Sequence, residues 1–248
     1  MKLQKYQPGT PGSERAFALD LDLLSSEASM PEGYPKHAKA NPLTVGHVKT
    51  LVYGQNSDRP FLGACSDVVQ QVVDIDVKKL ALLDFYHLLL FLRVNSCGSF
   101  ADFTFTCPVC KTPSPLSVDL TAVKAESVPS SYSEPKEVDG VRLQLPRVAD
   151  RIALDEVEHT DLDELSLFLA IEGGITKRLD VFNACSPKAI ENINLFVESL
   201  SGLGVDNSVS FLCQSKPSAE AKPCGCKEEI LWPFRGTFFL PGKPQKHS

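Results

Sequence analysis

The chain has 248 residues, 43% hydrophobic and 23% charged, with a formal net charge of −6. That is ordinary for a globular protein with a core of its own. The acidic balance argues against a broad nucleic-acid footprint or docking on anionic lipid, both of which need clustered Lys and Arg. No apolar run reaches the ~20 residues that span a bilayer. The stretch from Met1 to Ser13 is polar, rich in Pro and Gly, and does not read as a secretion signal. The expected setting is therefore a reducing cytoplasm, where thiols stay free or bind metal.

Residues 1–41 read as an irregular arm. Met30-Pro-Glu-Gly-Tyr-Pro35 is turn-like, and Phe17, Leu19, Leu21 and Leu23 alternate as one short strand. From Pro42 the pattern turns helical. Leu62, Cys65, Val68, Val69, Val72 and Val73 recur at spacings of three and four, giving a helix from Phe61 to Asp74 with one apolar face. Leu80 to Val94 is apolar nearly all round, interrupted by Asp84, His87 and Arg93, and reads as a helix at the centre of a core, stopped by Gly98. Period two follows from Phe100 to Phe105 and from Leu116 to Leu120, with Cys107-Pro-Val-Cys110 between: strand, tight knuckle, strand.

Residues 125–140, with Pro129 and Pro135, read as a polar connector, and Val141 to Leu145 as a strand. A second helical region runs from about Arg147 to Leu200. Its clearest helix has Ser186 as N-cap, Pro187 at the first helical position and Gly202 beyond its end. Strands at Val209–Cys213 and Glu229–Phe234 flank a loop carrying Cys224-Gly-Cys226. Both halves thus share an order of helices, glycine, strand, cysteine knuckle, strand, which suggests an internal duplication. The expected fold class is α+β: two helical subdomains, each followed by a β-strand cysteine knuckle, joined by a structural zinc site. The divisions fall at 1–41, 42–124, 125–140, 141–241 and a tail 242–248.

Eight cysteines carry the chemistry. Cys65, Cys97 and Cys185 sit in or beside apolar helical stretches and read as small buried hydrophobes. The other five sit in turns. A C-x-x-C turn points two sulfurs at one place, and zinc takes four soft thiolates in a closed tetrahedral shell. A redox pair belongs at a helix N-terminus, whereas Cys107 and Cys110 lie between strands. A disulfide and a pair of unliganded thiols are the other readings. The expected ligands are Cys107, Cys110, Cys213 and Cys226, with Cys224 as a spare or a substitute for Cys226.

No catalytic pattern accompanies them. G-x-S-x-G, H-E-x-x-H and a phosphate loop are absent, the five His residues are scattered, and the paired Asp residues read as surface or helix-terminal charge. Lys111, Lys216, Lys222 and Lys227 alternate with Glu220, Glu228 and Glu229, a poor basic face for a zinc-ribbon nucleic-acid binder. Trp232, Phe234, Phe238 and Phe239 cluster near the end. They read either as a cover for the knuckles or as anchors for a partner.

In this order, four elements resemble the T4-type baseplate hub proteins of contractile-tailed phages. They are Met30 to Pro35 with Asn41-Pro-Leu-Thr44; Asp74-Ile-Asp76 with Leu82 to Arg93; Phe103 to Cys110 with Leu116-Ser-Val-Asp-Leu120; and Phe238-Phe-Leu-Pro241. The stretched Cys213…Cys224-Gly-Cys226 departs from the compact second C-x-x-C expected of the family. The resemblance implies a non-enzymatic structural part of the virion's tail baseplate. Its partners would be hub, spike, tape-measure or tube proteins, in an oligomer within a larger assembly, with no nucleic acid and no membrane. The alternative it leaves open is a hub assembly chaperone absent from the mature virion.

Overall fold

The computed structural model describes residues 19–25, 34–53, 60–132, 135–138, 140–216 and 223–240. Phe17, the turn residues 30–33, the stretch 217–222, Pro241 and the tail 242–248 lie outside them.

Strand β1 (Leu19–Asp22) pairs antiparallel with β2 (His37–Ala40). Leu19, Leu21, Ala38 and Ala40 face inward while Asp20, Asp22, His37 and Lys39 face out, as period-two alternation requires. Helices α1 (Val45–Tyr53) and α2 (Phe61–Gln70) follow. The apolar periodicity of α2 continues to Val73 in the sequence, but the helix stops at Gln70. Val73 is taken by a bridge to Ala40, which seats the first hairpin against this segment.

Helix α3 (Leu82–Cys97) is the centre of the core. Phe85, Leu88, Leu89 and Leu92 are wholly buried, each contributing roughly 1.5–3 kcal/mol relative to exposure. Gly98, at φ 91°, ends it in a conformation open to glycine. The polar residues of α3 are accommodated rather than expelled. The Asp84 carboxylate accepts hydrogen bonds from the Ser25 N–H (3.1 Å), the Ser25 hydroxyl and the Tyr34 hydroxyl (2.5 Å), pinning the N-terminal segment to the start of α3. Burial and the adjacent Asp84 push the Tyr34 phenol well up. Arg93 is fully buried and donates to the carbonyls of Gly98, Phe100 (2.6 Å), Phe238 and Leu240 (2.7 Å).

Strands β3 (Phe100–Thr106) and β4 (Pro113–Asp119) form the first knuckle hairpin. The stretch expected as a connector is structured. Strand β5 (Ala125–Glu126) pairs with β8 (Gly204–Val205), Val128 is buried, and β6 (Lys136–Val138) pairs with β7 (Val141–Leu143). A second helical layer comprises α4 (Val148–Asp155), a 3-10 stretch (Asp161–Phe168), α5 (Gly174–Asn183) and α6 (Pro187–Ser199). The Ser186 side chain accepts from the Ala189 N–H with Pro187 in the first turn, as the sequence predicts. Leu143, Leu169, Phe182, Ile193 and Phe196 form this layer's own core, and Arg178 pairs with Asp150 at 3.0 Å to tie α5 to α4.

Strands β9 (Ser208–Leu212) and β10 (Lys227–Leu231) form the second knuckle hairpin. A 3-10 turn (Gly236–Phe239) then packs against α1 and α3. The architecture is α+β, with only two-stranded antiparallel sheets among the described residues.

Candidate metal centre

Two hairpin ends meet. The sulfurs of Cys107, Cys110, Cys213 and Cys224 all lie within 4.8 Å of one another. Cys110 and Cys213 are 3.6 Å apart and Cys107 and Cys224 are 3.9 Å apart, and all eight cysteines are free. A tetrahedron with metal–sulfur bonds of about 2.3 Å has sulfur–sulfur edges of about 3.8 Å, so the four side chains fit a tetrahedral ion. Cys107 and Cys213 are wholly buried and the other two partly so. Phe105 and Phe211 close over the cluster, edge to face at 4.8 Å.

The sequence reading put Cys226 fourth; the structure brings Cys224 into the group and leaves Cys226 outside it. Backbone geometry explains the exchange. In the first knuckle the Lys111 N–H donates to the Cys107 carbonyl (2.9 Å) and the Cys107 N–H to the Thr112 carbonyl (3.1 Å), with Lys111 at φ 57°. In the second, the Gly225 N–H donates to the Cys213 carbonyl (3.0 Å) and the Cys213 N–H to the Cys226 carbonyl (2.9 Å), with Gly225 at φ 68°. Both are the same bulge: a left-handed residue and its successor oppose a single cysteine. Cys224 therefore corresponds to Cys110, each just before the left-handed residue, and Cys226 corresponds to Thr112. The sequence carried this signal in Gly225, the residue best suited to a positive φ. Aligning the second cysteine by its nearness to the next strand missed it.

Cys226 still borders the cluster, with its sulfur 3.7 Å from the Glu228 carboxylate. The thiols divide electrostatically. The Thr112 hydroxyl and N–H draw Cys110 down to about 6, and the Cys110 N–H draws Cys107 down. On Cys224 the Cys226 N–H acts downward, but burial and the neighbouring thiols Cys110 and Cys107 outweigh it and hold the group at about 11. Burial and Cys107 likewise raise Cys226 to about 11. The two thiols of the first knuckle therefore give up their protons more easily than Cys224 and Cys226 do.

The remaining cysteines are elsewhere. Cys65 is buried on α2, its thiol pushed up by burial; Cys97 ends α3, and Cys185 lies between α5 and α6.

The aromatic ending lies away from the cluster. Trp232, Phe238 and Phe239 are buried in the main core, Trp232 stacking on Phe238 at 5.4 Å, and half-buried Phe234 stacks on Tyr86 at 4.9 Å. Trp232 also stacks on Phe103 of β3 at 6.1 Å, so this segment packs against the first knuckle hairpin as well as against α3. The large apolar side chains that segment exposes are Leu231 and Leu240.

The family model described as T4 bacteriophage base plate protein matches residues 25–219, which spans the first knuckle and Cys213 and stops before Cys224. No curated protein and no solved structure matches the chain. A match over more than three quarters of the sequence, across α1 to β9, places this chain in the T4 bacteriophage base plate protein family.

Proposed function

We propose that the protein is a non-catalytic structural component of the baseplate hub of a contractile phage tail, held in shape by a zinc ion on Cys107, Cys110, Cys213 and Cys224. The carrying observation is the convergence of four sulfurs from two hairpins at tetrahedral spacing. Four thiolates suit zinc. They also close its shell, leaving no position for an activated water, so such a centre serves architecture. Its effect would be to lock the β3–β4 hairpin to the β9–β10 hairpin and so join the two halves of the chain. The bulge common to both knuckles supports the internal duplication suggested by the order of elements. Family membership supports contacts with other tail and baseplate proteins.

Two measurements test this reading. Metal analysis of protein purified without chelator is expected to give one zinc per chain; a native, folded preparation free of metal overturns the zinc centre. Mass spectrometry of purified particles is expected to find the chain in the baseplate. A clean absence from particles, with the chain bound to hub proteins in infected cells, transfers the role to an assembly chaperone.

A further inference from the structure

Five sulfurs gather where a tetrahedral ion takes four. Cys226 is the surplus one. It packs against the buried group of Cys107, Phe211 and Cys213, and Cys107 is near enough to act on its thiol. Its carbonyl accepts from the Cys213 N–H at 2.9 Å, which fixes it across the hairpin from a ligand.

Neither the bulge nor the packing calls for a cysteine here. The corresponding position of the first knuckle is Thr112, so the bulge itself needs no sulfur. Cys226 is half-buried, whereas Cys65, which fills the core, is wholly buried. Its S–H donates to the carboxylate of exposed Glu228 at 3.7 Å, a weak bond from a weak donor. The thiol is therefore lightly held. Only Gly225 separates it from Cys224. Glycine has the widest choice of backbone conformation, and a Cβ at Gly225 would meet nothing closer than 3.8 Å. The backbone between the two thiols thus has both the freedom and the room to turn.

We propose that Cys226 is a reserve ligand, which exchanges with Cys224 in the fourth position of the zinc shell. The inference rests on the zinc reading. Exchange passes through an ion that briefly holds five sulfurs, an expansion open to zinc. The Cys226 thiol loses its proton as its sulfur bonds the ion, and Glu228, already the acceptor of that S–H, is placed to receive it. Cys224 takes up a proton as its bond to the ion breaks, so the shell ends with four thiolates as it began. The first knuckle has no such choice, since Thr112 offers a hydroxyl where zinc favours a thiolate. The first knuckle therefore holds the ion, and the second gives it a way in and out.

Cobalt reports the outcome, because its thiolate charge-transfer absorption grows with the number of sulfurs bound. The full chain is loaded with cobalt and, separately, with zinc. Cys224→Ser is expected to keep four-sulfur intensity, with Cys226 in the shell. Cys224→Ser/Cys226→Ser is expected to fall to three-sulfur intensity and to hold zinc at least about tenfold more weakly than Cys224→Ser. Cys226→Ser alone keeps all four resting ligands, and is expected to slow zinc transfer to a chelator several-fold. Three-sulfur intensity already in Cys224→Ser, with an oxygen from Glu228 or water in fourth place, overturns the exchange and leaves the zinc centre standing. So does a transfer rate that Cys226→Ser leaves unaltered. An unsubstituted chain, folded by circular dichroism, that takes up neither metal overturns both readings together.

Discussion

The sulfurs of Cys107 and Cys224 lie 3.9 Å apart although 117 positions separate them in the chain. Bringing such distant groups together closes a long loop, which costs chain entropy that a metal ion bound only by the folded state offsets. A strong chelator is therefore expected to lower the melting temperature by about 10 °C or more, and added zinc to restore it. Scanning calorimetry before and after chelation checks this.

Exchange of Cys224 for Cys226 in the fourth position separates their variants. Cys224→Ser is expected to weaken zinc retention at least tenfold against a competing chelator, and Cys226→Ser to leave it nearly unchanged. Competition titration with a chromogenic chelator distinguishes the two.

The left-handed residues of the two bulges behave oppositely under substitution. A Cβ at Gly225 would meet nothing closer than the Pro223 carbonyl at 3.8 Å, so Gly225→Ala is penalised by conformation alone, at about 1–2 kcal/mol. Lys111→Gly relieves the same conformation and is expected to be neutral or stabilising by up to about 1 kcal/mol. Urea denaturation of both variants measures the signs.

Arg93 serves four carbonyls from two regions of the chain, so its removal orphans several buried acceptors at once. Arg93→Leu is expected to cost roughly 3–5 kcal/mol. Hydrogen exchange should show the loss first at residues 236–240, whose carbonyls at Phe238 and Leu240 it holds.

His87 gives a pH dependence. It is buried, neither ring nitrogen has a partner among the described residues, and burial lowers its pKa below 6.5 despite the opposing pull of Asp84 and Asp22. The unfolded chain therefore takes up this proton more readily than the folded one. Its contribution to stability is full above pH 6.5 and declines as pH falls through the folded-state value. His87→Leu is expected to flatten the stability curve below pH 6.5, measured by denaturation at a series of pH values.

Much of this architecture was legible because it depends on local patterns. Ser186, Pro187 and Gly98 mark helix ends through rules that need no tertiary context, and the all-round apolarity of α3 shows its central place. The short strands β5 and β8 were not legible. Two residues hold no period, and the pairs Ala125–Val205 and Glu126–Gly204 lie 80 and 78 positions apart in the chain. The first knuckle was plain from C-x-x-C. The second was obscured by the stretch between Cys213 and Cys224, where register is set by the Gly225 bulge rather than by spacing. The aromatic ending was legible in part, for Trp232 stacks on Phe103 of the first knuckle hairpin. Sequence neighbourhood could not show that Arg93 also holds the segment against α3 through the Phe238 carbonyl.

The pairing of Cys107 with Cys224 also orders events during synthesis. The ribosome releases the first knuckle long before its counterpart, so the four-sulfur cluster cannot assemble until Cys224 has been made. Trp232, Phe238, Phe239 and two of the carbonyls that accept hydrogen bonds from Arg93 emerge later still. A chain at any earlier point thus exposes the flank of α3, apolar surface of the kind that makes folding intermediates prone to aggregate, beside a lone pair of thiols.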